Sequence, residues 1–199
     1  MIAETNTRPG NAEQHSMSMR ITFGIDPGIG GALAILADGL PLSVHDMPVM
    51  QVGEKTEVDA AKLAAIIRGE RAAHRGAYFS GCIERVRAMP PRGGVGKVCP
   101  ACGSECGMRR AGAQSSMNFG DHYGKAKGVF EVLGIPYTRA EPQSWKRHFG
   151  LIGQDKDASR QLALVRFPAM AGMLKRKKDD GRAEALLLAL WHDSTQAMS

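Results

Sequence analysis

Two short apolar runs that flank an acid and a group of glycines restrict most strongly how this chain can fold. Residues 20–26 and 31–37 form these runs, and a DPGIG sequence beginning at Asp26 separates them. Apolar runs of about six residues bounded by proline and glycine are typical of strands joined by a turn. We therefore predict a β-hairpin whose first strand ends at Asp26, with residues 42–47 as a third antiparallel strand.

Helical and strand patterns alternate after this hairpin. The predicted elements are a helix over residues 58–74, a buried strand over 78–86, a helix over about 119–133, a strand over 135–138, and helices from about 144, over 157–167 and over about 180–193. Antiparallel strands followed by alternating helices and strands indicate an α/β sheet domain.

The composition sets the limits of this domain. Residues 1–19 are polar and lack the apolar segment of a signal peptide, so we expect a disordered leader. Residues 20–195 suit a single domain, and residues 88–115, rich in Pro, Gly, Cys and Arg, predict an inserted loop. No apolar run approaches the roughly 20 residues that span a bilayer. We therefore expect a cytoplasmic protein with no membrane partner.

Positive charge is concentrated in one third of the chain. The net charge is +6, and the segment from Arg139 to Arg182 alone holds eleven Lys or Arg against five Asp or Glu. Such a distribution favours an anionic partner. The run from Lys175 to Lys178 could bind that partner, or it could be a solvated face of the protein.

Four acids stand out against their surroundings. Asp26 ends the first strand and Glu84 lies near the end of the buried strand, whereas Asp180 and Glu184 are four residues apart at the start of the last helix. Residues at i and i+4 share a helical face. Carboxylates that converge without arginine partners repel one another, and Mg²⁺ relieves that repulsion. Two such ions can hold both the attacking water and the leaving oxygen of a phosphodiester displacement.

Each acid also has an ordinary structural explanation. Asp26 could begin a turn, and Glu84 could pair with a neighbouring arginine. Asp180 could cap a helix, and Glu184 could be a surface acid. The order of these acids along the chain is more specific than any one of them.

The sequence resembles the RuvC-like Holliday junction resolvases, of the type found in phages and prophages. The segments that carry the resemblance are, in chain order, GIDPGIGGALAI, IERV, GKAKGVFEVLGIPY, PQSWK and DDGRAEALLLAL. The resemblance covers about residues 20–193 apart from the insertion. It implies an RNase H-like fold, in which helices flank a mixed five-stranded sheet. It also implies cleavage of four-way DNA junctions with Mg²⁺ or Mn²⁺, two ions per site, leaving 5′-phosphates.

The same resemblance assigns roles to single residues. Asp26 and Glu84 match the family's first two metal-binding acids, and Glu184 stands where the family usually has Asp. Asp180 takes the place of a further acid or histidine, but its spacing from Glu184 is four rather than the commoner three, which leaves Asp179 as an alternative. Lys146 matches a lysine that the family uses near the scissile phosphate, although it could also be an exposed helical residue.

Several basic and aromatic residues are candidates for DNA contact. The basic candidates are Lys125, Lys127, Lys146, Arg147, Lys175, Arg176, Lys177 and Lys178. Lys125 and Lys127 lie where the family presents residues to the junction, or they form the solvent face of their helix. Phe119 and Tyr123 could stack on unpaired bases at the branch point or pack in the core.

A homodimer is expected because one chain supplies one set of acids, whereas resolution of a junction needs two symmetric nicks. A two-fold dimer repeats the same site on the opposite side of the branch. The expected interface is the apolar segment around Val129, Phe130 and Leu133, and the alternative is that these residues pack on their own sheet.

The insertion departs from the family pattern. Its Cys99, Cys102 and Cys106 resemble one knuckle of a zinc ribbon, which needs a fourth ligand such as His122. Cys82 lies in the buried strand and is expected in the core. The alternative to zinc is a flexible loop with reduced thiols, because disulfides are rare in the cytoplasm.

Three other functions compete with junction resolution. The strongest is a nuclease of the same fold that acts on other branched or RNA-containing duplexes. An actin-like ATPase also begins with a strand, an acid and glycines, but it lacks the late carboxylate helix. An inactive DNA-binding protein is supported only by Glu in place of Asp at Glu184, and Glu still coordinates Mg²⁺.

Overall fold

The computed structural model describes residues 18–85, 113–155 and 157–196, and for 113–115 it describes the backbone alone. The strands are β1 (Arg20–Asp26), β2 (Ala32–Ala37), β3 (Leu40–Asp46), β4 (Val49–Val52), β5 (Lys55–Val58), β6 (Tyr78–Glu84) and β7 (Tyr137–Ala140). The α-helices are α1 (Ala60–Ala73), α2 (Ala113–Val132), α3 (Pro142–His148), α4 (Ala158–Arg166) and α5 (Asp180–Gln196). Two short 3₁₀ helices, Pro168–Met173 and Lys177–Asp179, lie between α4 and α5.

Five strands form one mixed sheet in the order β3-β2-β1-β6-β7. Strand β1 pairs antiparallel with β2 and parallel with β6, and β6 pairs parallel with β7. The predicted hairpin, the third antiparallel strand and the mixed five-stranded sheet are therefore confirmed. The carboxyl ends of β1 and β6 meet at the same edge of the sheet.

The two faces of the sheet are covered by different helices. Alternate residues of β1, including Phe23, pack with Leu63 of α1 and Phe130 of α2 in one apolar cluster. The opposite face packs against α5, whose Leu186 to Ala189 are fully buried. Because a strand directs successive side chains to opposite faces, one sheet serves both clusters.

Helix α5 lies unusually close to the central strand. A Cβ atom at Gly24 of β1 would lie 2.2 Å from the carbonyl oxygen of Ala185 and 2.8 Å from the Cβ of Ala189. Only glycine permits this approach. The close contact brings the acidic start of α5 to the end of β1.

The structure also differs from the sequence-based prediction. A two-stranded antiparallel sheet of β4 and β5, which was not predicted, precedes α1, and the predicted helix over residues 58–74 is confirmed at Ala60–Ala73. Helix α2 begins at Ala113, within the predicted insertion, and residues 86–112 lie outside the described part of the chain. In the described residues, no helix combines the length and the apolar character needed to cross a membrane.

The expected dimer segment packs mainly on its own sheet. Phe130 has no exposed surface and contacts Phe23 and Tyr137, and Val129 is also buried. The prediction that Phe130 is presented to a partner is therefore wrong, because its ring fills the space above Gly81 of β6. Val132, two residues further along α2 than Phe130, is 81% exposed.

Candidate active site

Two of the predicted acids lie side by side at the edge of the sheet. Asp26 is the last residue of β1 and Glu84 is the last residue of β6. The parallel register pairs Ile25 with Ile83, so the two acids follow directly from one aligned pair. Both side chains are partly buried. The sheet therefore fixes the backbone positions of both carboxylates.

The first turn of α5 brings the other two acids to the same place. Asp180 begins α5, and Glu184 follows one turn later on the same face. Gly181 lies against the turn after β1, where a Cβ would be 2.5 Å from the carbonyl oxygen of Gly30 and 3.3 Å from Asp26 Oδ2. The absence of a side chain at Gly181 thus lets the start of α5 approach Asp26.

The charges of these acids act on one another. Burial first, and then repulsion from Glu84 and Glu184, raises the pKa of Asp26 to about 7. Asp180 adds to this shift, whereas a backbone hydrogen bond from Gly28 opposes it. Burial and the charge of Glu184 also raise the pKa of Glu84. Such perturbation of buried acids is characteristic of functional sites.

Helices α3 and α4 supply the polar partners of the acids. The indole N–H of Trp145 donates a hydrogen bond of 3.0 Å to Glu84 Oε1. Lys146 Nζ lies 3.0 Å from Glu184 Oε1, and Ser159 Oγ donates to the same oxygen at 3.3 Å. Lys146, expected from the sequence near the reacting phosphate, therefore lies beside the acids.

Asp179 and Asp180 are adjacent in sequence, but their side chains lie in different environments. The side chain of Asp179 is 3% exposed and accepts hydrogen bonds from the guanidinium and the backbone N–H of Arg176. These bonds lower the pKa of Asp179. Asp180 instead lines a cavity of about 380 Å³ together with Lys146, Ser159 and Glu184. The acid that faces the cluster is thus Asp180.

The donor chemistry of the four acids fits a hard divalent cation, since carboxylate oxygens are the preferred protein ligands of Mg²⁺. As oriented here, no group of three or more His, Cys, Asp or Glu side chains in residues 18–85, 113–155 and 157–196 could hold a metal ion. In this structure two of the carboxylates have protein partners: Trp145 binds Glu84, and both Lys146 and Ser159 bind Glu184.

Ion pairs occupy two of the predicted DNA-binding lysines. Lys125 binds Glu57 of β5 and lies 3.0 Å from Asp121, and Lys127 lies 3.3 Å from Glu131. These pairs connect α2 to the β4–β5 sheet and to its own next turn. Both lysines remain partly exposed.

The basic run before α5 is divided between two environments. Arg176 binds the buried Asp179, whereas Lys175, Lys177 and Lys178 are exposed. Arg147, at the end of α3, is also exposed. The three lysines are therefore the part of this run that is available to an anionic partner.

Cys99, Cys102 and Cys106 lie outside the described residues, so zinc binding in the insertion stays a prediction. Cys82 is fully buried in β6, as expected. Burial raises the pKa of its thiol to about 12. His122, the suggested fourth zinc ligand, is largely buried on α2.

Sequence reasoning missed Trp145 and Ser159. Trp145 directly precedes Lys146 in the PQSWK segment. Because Lys146 was already a candidate for the site, its neighbour Trp145 could have been considered as well. The contact of Ser159 with Glu184 depends on how α4 crosses α5, which no local pattern specifies.

Comparison with known sequences gives one short match. No family model matches this chain. Over 65 residues, 32% of this chain, it is 40% identical to the chloroplastic Holliday junction resolvase MOC1 of Chlamydomonas reinhardtii. The match covers 7% of that protein, so this chain spans a small part of its relative's length.

Comparison with solved structures covers almost the whole chain. T. thermophilus RuvC in complex with a Holliday junction substrate aligns with 90% of this chain and 96% of its own, with a TM-score of 0.50 and 16% identity. A further Thermus thermophilus RuvC structure aligns with 89% of this chain and 96% of its own, with a TM-score of 0.45 and 16% identity. The RNase H-like fold of RuvC and the resemblance to RuvC-like Holliday junction resolvases are confirmed. The phage or prophage type stays a prediction.

Proposed function

We propose that this protein is a metal-dependent endodeoxyribonuclease that resolves four-way DNA junctions by paired symmetric nicks. The observation that carries the proposal is the meeting of Asp26 and Glu84, at the ends of adjacent parallel strands, with Glu184 at the start of α5. Similarity to a Holliday junction resolvase and to RuvC solved with its junction substrate supports the choice of DNA substrate.

Each residue of the site has a separate role in this proposal. Asp26, Glu84, Asp180 and Glu184 would hold two Mg²⁺ or Mn²⁺ ions, whose chemistry when bound would be to activate water and stabilise the charge that develops on the phosphodiester. Lys146 neutralises a phosphate oxygen of the strand being cut, since its ammonium lies next to Glu184 and its side chain is 31% exposed. The glycines after Asp26 leave room for a DNA backbone.

The exposed basic residues hold the arms of the junction. Lys175, Lys177 and Lys178 lie immediately before α5 in the chain, so DNA bound to them runs towards the acids. Arg147 follows Lys146 directly and extends the same surface. Lys125 and Lys127 contribute less, because their ion pairs must break before they can bind phosphate.

A homodimer supplies the second nick. Val132 is exposed on α2. Leu133 and Val129 line an apolar groove between α1 and α2. We assign the dimer contact to this groove in place of Phe130. Light scattering at micromolar concentration should give twice the mass of one chain, and Val132→Glu should reduce it to one.

The decisive experiment compares labelled four-way, three-way and linear duplex DNA with an RNA–DNA hybrid, each with Mg²⁺ and with EDTA. We expect four-way junctions to yield paired nicked duplexes only with Mg²⁺, and linear DNA to remain largely intact. Equal rates on linear duplex or on the hybrid would instead favour the general nuclease of this fold. Junction binding without cleavage at any concentration of Mg²⁺ or Mn²⁺ would favour an inactive binding protein.

For the insertion we propose a zinc site that includes Cys99, Cys102 and Cys106, on the basis of their knuckle-like spacing. Elemental analysis of protein purified without chelator should find up to one zinc per chain. Three freely titratable thiols and no zinc would contradict the site.

A further inference from the structure

The side chain of Trp145 combines complete burial with a polar contact to the active site. It has no exposed surface and is among the largest fully buried side chains of the described residues. Its indole N–H donates to Glu84 Oε1 at 3.0 Å. A buried indole N–H that lacks a partner is costly, so this bond constrains both side chains.

The surroundings of Trp145 fix its orientation. The ring packs in the apolar cluster that includes the leucines of α5. On the next residue, Lys146 Nζ lies 5.0 Å from the centroid of the same ring and 3.0 Å from Glu184 Oε1. One short helix, α3, therefore contacts two acids of the site through consecutive residues.

We propose that Trp145 is a positioning residue that keeps the Glu84 carboxylate at the cluster of acids, where it can serve as a metal ligand. The proposal rests on the proposed function, because it takes Glu84 as a metal ligand. The negative charges of Glu84 and Glu184 repel each other, and the indole N–H of Trp145 is a fixed donor that offsets this repulsion at Glu84. The indole N–H occupies one lone pair of Oε1 and leaves the remaining oxygen sites free. Partners of this kind typically change metal affinity or activity by about 10–100-fold.

The test measures Mn²⁺ binding by electron paramagnetic resonance on the protein without DNA. Trp145→Phe removes the N–H and keeps an aromatic ring, and we expect about 10-fold or weaker binding of Mn²⁺. Trp191→Phe is the matched control, since Trp191 packs against the same apolar cluster without a bond to any of the four acids. The control should bind Mn²⁺ like the wild type, whatever its thermal stability.

A double-mutant cycle separates positioning from general destabilisation. In a Glu84→Gln background, Trp145→Phe should cause no further loss of Mn²⁺ affinity, because its target carboxylate is gone. Additive losses, or unchanged affinity in Trp145→Phe, would overturn the assignment. If Trp145→Phe does not fold, benzothienylalanine at position 145 gives an isosteric ring without the N–H. Wild-type protein that binds no Mn²⁺ would instead contradict the metal site and the proposed function.

Discussion

Two groups of acids flank the start of α5, and they differ in whether their negative charges are balanced by arginine. In the first group, Asp26 and Glu84 are partly buried, are repelled by the charge of Glu184 and have raised pKa values. Repulsion among these carboxylates opposes their ionisation in the folded protein. This group works against folding at neutral pH when no cation is bound.

The second group pairs each acid with an arginine. Arg182 donates two hydrogen bonds of 2.6 Å to Asp46 of β3, and Arg176 donates to the buried Asp179. Arg182 also donates to the carbonyl oxygen of Met173. The hydrogen bonds from these arginines lower the pKa values of Asp46 and Asp179.

The difference teaches how neighbouring acids come to have different uses. Asp179 and Asp180 are adjacent in sequence, yet Asp179 belongs to the paired group and Asp180 to the cavity beside Glu184. An acid that is saturated by arginine stabilises the fold and has little capacity left for a cation. An acid that lacks arginine destabilises the fold, and we propose that these acids are retained for metal binding.

The largest expected effect comes from removing one charge from each group and measuring junction cleavage. Glu84→Gln should lower the cleavage rate by more than about 100-fold, because even partners outside the metal ligands cost about 10–100-fold. Asp46→Asn makes the same chemical change in the paired group and should keep a rate near that of the wild type. Gel assays with a labelled four-way junction provide both rates.

Binding distinguishes loss of chemistry from loss of structure in that experiment. Glu84→Gln should bind the junction as well as the wild type or more tightly, because a negative charge near phosphate is removed. Weak binding by Glu84→Gln, or an equal loss of cleavage in Asp46→Asn, would remove the functional distinction between the two groups.

The next largest expected effect is on the free energy of unfolding. Here a substitution in the paired group should destabilise the protein, whereas a substitution in the unpaired group should stabilise it. Asp179→Asn leaves Arg176 without its anionic partner, so the free energy of unfolding should fall by about 1–3 kcal/mol. Asp26→Asn removes a charge from the unpaired group and should raise the free energy of unfolding of the metal-free protein. Urea denaturation at pH 7.5 gives both values, and destabilisation by Asp26→Asn would contradict the raised pKa.

Much of this arrangement could be predicted from the sequence. The strand before Asp26, the buried strand before Glu84 and the helix of Glu184 follow from apolar periodicity and turn residues, which act locally. The sequence favoured Asp180 but left Asp179 as an alternative, because the distinction depends on the ion pairs of Arg176 and Arg182 with Asp179. Trp145 was missed for a similar reason, since its contact with Glu84 joins residues 61 positions apart.

The pH dependence of the protein's stability provides a third comparison between the two groups of acids. The folded-state pKa of Asp26 is raised from 3.8 to about 7, so between about pH 4 and 7 the folded protein binds more protons than the unfolded chain. The melting temperature of metal-free wild type should therefore fall as pH rises through this range. Asp46 and Asp179 have lowered pKa values, so they stabilise above about pH 4 and lose that contribution only at lower pH. Asp26→Asn should flatten the decline between pH 4 and 7, and an unchanged profile would place the titration elsewhere.

The smallest expected effect concerns the basic run before α5, which contains an arginine paired with an acid as well as exposed lysines. Arg176 is used by the paired group, whereas Lys175, Lys177 and Lys178 are exposed and are proposed to contact DNA. Changing the three lysines to Gln should reduce the dependence of log K on log salt by at most about 2.7, since each phosphate contact on duplex contributes about 0.9. Arg176→Gln should instead lower stability and leave the salt dependence nearly unchanged.

A matched control for this last prediction comes from α1, on the opposite side of the sheet from α5. Lys62→Gln with Arg68→Gln removes two exposed positive charges there and should not change the salt dependence of junction binding. Fluorescence anisotropy in Ca²⁺ at several salt concentrations gives all the slopes. Equal slopes for the wild type and the triple lysine variant would mean that these lysines are a solvated face. A lower slope for Arg176→Gln would show that an arginine bound to a buried acid can still neutralise phosphate, and the division between paired and available charges would then fail at this residue.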